Sequence, residues 1–368
     1  MPVKLITLVV GARPNFMKIA PLIRSLYNAK DTFNFRLVHT CQHMDQNMDR
    51  VFFLDLGIPK PDCFLKAKGK THAEQTGSIM VEFEKECFKY RPDLVVVVGD
   101  VNSTVACAIA TKKLGIKLAH IEAGLRSNDR EMPEEINRVI IDAISDLLFI
   151  TEQSGMDNLL KEGKGRENLF YVGNIMIDNL YYQLKKLEIV SKNNFSYSFL
   201  KQKLEKYAVL TLHRPSNVDI KETFNGIIKA INNIAKEIPI IFSVHPRTKI
   251  RIQEFNLKFH KNVHLLEPMS HLEFLNLWKD SKLVFTDSGG LQEETTALGI
   301  RCVTIRKNTE RPITIEKGTN ILSGTKSQDI ERAYLNSIKL GQAKTSSIHL
   351  WDGLTSIRIL KILMENIK

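Results

Sequence analysis

No apolar stretch in the 368-residue sequence approaches the roughly 20 residues that a membrane-spanning helix needs. The apolar run nearest the start, LITLVV at 5–10, is too short for the core of a signal peptide and flows into GARP. A cytoplasmic protein with no membrane segment is expected. Cysteine is scarce and scattered. Cys41, Cys63, Cys87, Cys107 and Cys302 contain no CxxC pair and are odd in number, which argues against a disulfide framework. Cys107 and Cys302 fall in apolar helix- and strand-like patterns, where a buried thiol is expected. The histidines show neither HExxH nor HxH spacing, so a metal site has no support. The fingerprint GxGxxG is missing after the first apolar run, where the chain reads GARPNF. A nicotinamide cofactor is therefore not expected, and with no metal spacing either, no cofactor is expected. Basic blocks are missing too. The formal net charge is +11, yet lysines such as Lys112, Lys113, Lys185, Lys186, Lys201 and Lys203 are spread out with no interleaved aromatic platform. The excess reads as solvated faces with a pull on anionic small molecules, not as a nucleic-acid surface.

What is present is a regular alternation. The length suits two domains of about 150–200 residues each, and 43% apolar with 25% charged residues is a globular composition. KLITLVV (4–10) precedes a helical pattern from about Asn15 to Ala29, and FRLVHT (35–40) precedes one over roughly Asp45 to Leu56. LVVVVGD, IKLAHIEAG, DLLFIT and LFYVGN follow, then AVLTLH, IPIIFSVHP, VHLLEP, KLVFTD and IRCVTI, with helical stretches between them. Runs rich in Val, Ile and Leu without polar alternation are what parallel strands covered on both faces require. Their alternation with helices predicts α/β architecture with doubly wound sheets. From Leu180 to Tyr207 the chain turns polar and lysine-rich without a strand pattern, which places a domain boundary there. The expected division is 1–180, 181–350 and a C-terminal helix in 351–368. That helix is expected to be capped by Asp352, with Ile357, Leu360, Leu363, Met364 and Ile367 covering an apolar surface.

Two segments share one layout. VVVVGDVNSTVACAIATKKLGIKLAHIEAG and KLVFTDSGGLQEETTALGIRCVTIRKNTE each run strand, Asp, small or glycine turn, helix, Leu-Gly-Ile, strand. In the second, the paired glycines of TDSGGLQEE let backbone amides approach an anion, with a helix expected from Leu291 pointing its positive end there. A phosphate is the natural guest, and the glutamates suit sugar hydroxyls. Ligands of open α/β sheets bind at the carboxyl ends of the strands. Strand-end polar residues in the first half are Arg13, Lys18, Gln42, His43, Asp100, Glu122, Arg126, Glu134, Glu135 and Arg138. In the second they are His213, Arg214, His245, Arg247, Ser288, Gly289, Gly290, Glu294, Glu310 and Arg311. Carboxylates dominate the first set, while the second offers histidines, arginines and an amide cradle. That is the division expected if one domain acts on a sugar ring and the other grips a nucleoside diphosphate.

The motifs GARPNFMKIAPL, QHMDQNM, VGDVNSTVA, HIEAGLRS, MPEEINR, LTLHRPSNVD, VHPRT, TDSGGLQEE and NTERPITIEKGTN, in this order, resemble those of the UDP-N-acetylglucosamine 2-epimerase family over about residues 5 to 323. The resemblance implies the glycosyltransferase-B fold, two Rossmann-like domains facing across a cleft, and a homodimer. It implies inversion of C2 of a UDP-2-acetamido sugar without metal or NAD. Asp100, Glu122, Glu134 and His213 would be catalytic. Arg13, Lys18, Arg138, His245, Ser288, Gly289, Gly290, Glu294 and Arg311 would bind substrate. Many family members read His-Arg-Arg-Glu-Asn where this chain has His213-Arg214-Pro215-Ser216-Asn217, and Gly-Gln-His where it has Cys41-Gln42-His43. Gln42 and His43 would belong to a second UDP-sugar site, so the departures touch activation by substrate and strict preference for UDP-N-acetylglucosamine. Rival readings on the same scaffold are a hydrolysing epimerase that releases UDP and N-acetylmannosamine, a glycosyltransferase, and a non-catalytic UDP-sugar-binding protein.

Overall fold

The computed structural model describes residues 3–42, 50–190, 195, 197–339 and 348–367. Two compact units emerge: Met1–Tyr181 together with His349–Lys368, and Tyr182–Ile348. In the first, seven parallel strands are β1 (Lys4–Val10), β2 (Phe33–His39), β3 (Cys63–Phe64), β4 (Leu94–Val98), β5 (Lys117–Ala123), β6 (Leu147–Ile150) and β7 (Leu169–Tyr171). Their order is β3-β2-β1-β4-β5-β6-β7. In the second, six parallel strands are β8 (Ala208–Thr211), β9 (Ile240–Ser243), β10 (Val263–Leu266), β11 (Leu283–Thr286), β12 (Cys302–Thr304) and β13 (Asn320–Leu322). Their order is β10-β9-β8-β11-β12-β13. Each sheet is Rossmann-like, with its order reversing once, at β1/β4 and at β8/β11. Those two points are where such a fold places ligands.

The strands form where the sequence leaves no polar face. Every residue of β4 is buried. Leu94, Val96 and Val98 pack on the face that also holds Phe16, Ile19 and Ile23 of the helix Arg13–Leu26. Val95 and Val97 pack on the other, with Ile79 and Phe83 of the helix His72–Tyr90 and Val105 of the helix Asn102–Lys113. At about 1.5–3 kcal/mol per fully buried large apolar side chain, this two-sided covering sets the order of layers. The cysteines among the described residues are free, and burial pushes the Cys302 thiol up to about 12.

Several element limits differ from the sequence expectation. The first helix starts at Arg13 and ends at Leu26, followed by a short 3-10 turn. It starts early because Asn15 Oδ1 accepts from the amides of Gly11 and Ala12, at 3.1 and 3.0 Å, and so fixes the chain leaving β1. The described part of the second helix is Arg50–Leu56. The C-terminal helix is Thr355–Asn366, and Asp352 does not cap it as expected. Its first amides, those of Thr355 and Ser356, donate to the carboxylate of Asp178 at 3.0 and 2.7 Å. Asp352 instead pairs with Arg358. Ile359, Leu363 and Ile367 are the buried stripe and join the first unit's core, whereas Ile357 and Met364 are exposed. The tail thus crosses back from the second unit's sequence to cover the first helix.

Candidate active site

In the first unit the polar residues gather where β1, β4 and β5 end. Lys18, in the second turn of the first helix, forms an ion pair with Glu122. Glu122 holds φ +76°, a left-handed value rare for a side chain of this size, at a break in the β5–β6 register between Ile121 and Ala123. Gly99 brings the two groups close to the next strand end. A Cβ there would lie 3.5 Å from Glu122 Oε2 and from Lys18 Nζ, and the residue has φ +70°. The following Asp100 pairs with Arg138, which also pairs with the buried Glu135. Asn137 donates to the Asp100 carbonyl at 2.8 Å, so the helix Pro133–Ile144 is docked on the Asp100 turn. Glu134 lies three and four residues before Asn137 and Arg138, on the same helical face. Its side chain makes no ion pair or hydrogen bond with another described residue. Burial would raise Glu135. The Ser127 amide and hydroxyl, with Arg138, more than offset that and hold it below the usual carboxylate range. Arg13 lies over the Phe52 ring, 4.9 Å from its centroid.

The second unit repeats the layout with other chemistry. Asp287, fully buried at the end of β11, accepts from the amides of His213 and Arg214 and from Asn217 Nδ2, at 2.9–3.2 Å. His213 Nδ1 lies 2.9 Å from Asp287 Oδ1 while the ring remains part-exposed. A carboxylate can only accept, so the Nδ1 proton faces Asp287 and Nε2 is turned away from it. Burial would raise the Asp287 carboxyl, but the bond and charge of His213 and the two amides hold it low.

The glycine pair opens the helix Gly289–Ala297, two residues before the expected start at Leu291. Ser288 is the N-cap but makes no side-chain capping bond, which leaves the first-turn amides to an outside acceptor. Glu294, one turn beyond Gly290, is buried with Oε1 at 3.3 Å from His271 Nε2. Glu293, the other carboxylate of the motif, holds Arg311 Nε at 2.7 Å. Arg311 also meets Glu310 at 2.6 Å, and Arg306 meets Glu310 at 2.8 Å. Burial would raise Glu310; Arg311 and Arg306 hold it far below the carboxylate range. Exposed His245 caps the helix Pro246–Glu254 at the end of β9, and its ring is 6.0 Å from that of His213.

Gly289 is tightly enclosed: a Cβ would come 2.7 Å from Arg311 Nη1 and 3.3 Å from Glu310 Oε1. Gly289→Val is expected to displace the guanidinium and to weaken binding of the UDP that the sequence motifs imply by about tenfold or more in a protein that still folds. Isothermal titration with UDP checks it, and unchanged affinity would contradict the cradle. A second expectation concerns acid. Glu135, Asp142, Asp287 and Glu310 all have folded pKa values below their ordinary ones. Their stabilisation is complete above the unfolded value of about 4 and is lost as pH falls through the lower folded values. Urea midpoints should therefore fall steeply below about pH 4. A midpoint that holds down to pH 3 would contradict these assignments.

Most strand-end residues anticipated from the sequence thus form two groups, one per unit. Gln42 is used locally: its amide oxygen accepts from the Ser103 amide and hydroxyl at 2.8 and 2.6 Å. His43, its proposed companion, lies outside the described residues. Asp287, His120 and Asp142 were not picked out, and Glu293, one of the two glutamates read as suiting sugar hydroxyls, instead holds Arg311. Only the Asp287 position gave a signal, through the shared strand-Asp-turn layout. Among the described residues no group of three or more His, Cys, Asp or Glu side chains has the arrangement of a metal site. No described helix is long and apolar enough to cross a membrane.

The profile of the family described as UDP-N-acetylglucosamine 2-epimerase matches residues 26–364. The chain belongs to that family. A UDP-N-acetylglucosamine 2-epimerase of Methanocaldococcus jannaschii is 42% identical over 97% of this chain and 98% of its own. A crystal structure of the M. jannaschii epimerase in complex with UDP-GlcNAc and UDP superposes with a TM-score of 0.87, at 41% identity over 98% of this chain and 99% of that one. A UDP-2,3-diacetamido-2,3-dideoxy-D-glucuronate 2-epimerase of Pseudomonas aeruginosa is 38% identical over 86% of this chain and 87% of its own. The 2-epimerase family thus includes relatives named for more than one UDP-2-acetamido sugar. The two parallel sheets here are those of its two-domain, glycosyltransferase-B-like fold.

Proposed function

We propose that the chain catalyses reversible C2 epimerisation of a UDP-2-acetamido sugar, UDP-N-acetylglucosamine to UDP-N-acetylmannosamine, by elimination and re-addition of UDP. The observation that carries this reading is the unequal equipment of the two switch points. Asp100, Glu122 and Glu134 occupy one, while His213, Arg311 and an uncapped glycine helix start occupy the other. C2 has no adjacent carbonyl, so its proton is too weakly acidic for direct removal. A carboxylate takes it while the C1–O bond to UDP breaks. The C–H electron pair becomes the C1=C2 bond of a glycal, and UDP departs with the C–O pair. First-turn amides, His213 and Arg311 stabilise the departing diphosphate. UDP then adds back to C1 as a proton reaches C2 from the opposite face, which calls for acid-base groups on both sides of the ring. Arg13, Lys18 and Arg138 hold and orient the sugar-side groups; His245, Ser288, Gly290 and Glu294 belong to the nucleotide side. The homodimer, which rests on the resemblance, and the cytoplasmic location expected from the sequence pattern are part of the same reading. Incubation with UDP-N-acetylglucosamine alone, in EDTA, is expected to give a mixture of the two UDP-sugars by NMR. Free N-acetylmannosamine would show the hydrolysing enzyme, and binding without turnover would show a sensor.

A further inference from the structure

His120 lies in the middle of β5 and is completely buried, yet it is not part of the carboxylate group. Both ring nitrogens are engaged. Nδ1 is 2.7 Å from Asp142 Oδ1, and Nε2 is 2.9 Å from the carbonyl oxygen of Gly99. Neither partner supplies a hydrogen. A carbonyl only accepts, and the other oxygen of Asp142 already accepts from the Gly124 amide at 3.0 Å and from Arg126 at 2.7 Å. Asp142 is itself fully buried; burial would raise its carboxyl, and His120 and Arg126 hold it low. The ring is therefore a two-armed donor. One arm grips the residue immediately before Asp100. The other acts through Asp142 on Gly124, two residues after Glu122 and just beyond the break in the β5–β6 register.

We propose that His120 is a positioning residue for the epimerisation: it fixes Asp100 and Glu122 relative to each other by tying the β4 turn to the β5 bulge. It touches no substrate in this reading. The inference rests on the proposed function, because the two carboxylates matter to each other only if both serve one sugar ring. The backbone needs such a tie on both sides. Gly99 and Glu122 each hold a left-handed φ, +70° and +76°, and for Glu122 that conformation persists only where its surroundings enforce it. A shift of about 1 Å at a reacting group costs on the order of a hundredfold in rate.

His120→Gln and Asp142→Asn separate the two arms. A glutamine carries both of its N–H donors on one nitrogen and has an acceptor oxygen on the other arm, so it satisfies Gly99 or Asp142 but not both. An asparagine at 142 retains an acceptor for Gly124 and leaves His120 still able to donate from Nε2 to Gly99. For His120→Gln the expectation is a kcat about a hundredfold lower, with KM and calorimetric UDP affinity within about threefold of wild type, since the nucleotide groups lie in the other unit. Asp142→Asn should lose about tenfold in kcat, less than His120→Gln, because the Gly99 arm survives. C2 hydrogen exchange with deuterium oxide should slow in step with kcat in both. A folded His120→Gln enzyme with kcat within about threefold of wild type overturns the proposal. So does an Asp142→Asn enzyme slower than His120→Gln, and so does parallel loss of UDP affinity and thermal stability in both variants, which would mark a merely structural network. If His120→Gln does not fold, the proposal stands or falls on Asp142→Asn keeping UDP affinity while losing kcat. Wild-type protein that turns over no UDP-sugar defeats the proposed function and this inference with it, whereas active wild type with equally active variants defeats this inference alone.

Discussion

Asp100→Asn, Glu122→Gln and Glu134→Gln are each expected to lower turnover by about a hundredfold or more, the usual scale of acid-base catalysis, while UDP affinity stays close to wild type. The two properties separate because the proposed acid-base carboxylates and the proposed nucleotide groups belong to different units. The three carboxylates differ in their partners, so the stability of the variants should differ too. Glu134 has no ion-pair partner among the described residues, and Glu134→Gln should unfold like wild type. Asp100 shares Arg138 with Glu135, so Asp100→Asn leaves that guanidinium paired and costs little. Glu122→Gln leaves the Lys18 ammonium, 13% exposed, against a neutral amide, and about 1–3 kcal/mol of stability is expected to go with it. Turnover, UDP titration and thermal melts on the three proteins check all of this. Loss of UDP affinity in step with turnover would move these residues out of the sugar-side role.

Asp287→Asn should have an effect as large, by another route. The native carboxylate meets only donors: the His213 and Arg214 amides, Asn217 Nδ2 and His213 Nδ1. An isosteric amide has one oxygen for them and turns its NH2 on the rest. His213 Nδ1 would then no longer face an acceptor, and the ring loses the constraint that keeps Nε2 free for the diphosphate. Turnover is expected to drop about a hundredfold or more, and here UDP binding should weaken as well, since the proposed function assigns His213 to the nucleotide. Stability should fall by about 1–3 kcal/mol, the cost of buried groups left without partners. A variant with wild-type UDP affinity and turnover would show that His213 needs no support from Asp287.

The two sheets were legible because both faces of each strand are covered, which leaves uninterrupted Val, Ile and Leu runs such as Leu94–Val98. The repeat pointed correctly to equivalent places, Asp100 after β4 and Asp287 after β11. It could not show that they do different things. Asp100 is 30% exposed and meets an arginine, whereas Asp287 is fully buried and meets a histidine. Local sequence around each aspartate is similar; the difference comes from Arg138 and His213, which are brought in from other parts of the chain. His120 and Asp142 were hidden for the same reason. Each sits in an apolar pattern, and only their contact 22 residues apart gives either one a role. The C-terminal helix was found, but its cap was not. Asp352 is the near aspartate in sequence, and Asp178 is the near one in space. Gly289 could be read as a backbone requirement, while the arginine that enforces it arrives from after β12.

The central claim is that C2 is inverted by elimination through a glycal, and one measurement addresses it directly. Wild-type protein is incubated with UDP-N-acetylglucosamine in deuterium oxide, and the C2 position of both UDP-sugars is followed by NMR. Deuterium is predicted at C2 of the epimer from the first turnover, and progressively in the recovered substrate as UDP adds back. Epimer that retains its original C2 hydrogen would contradict the account.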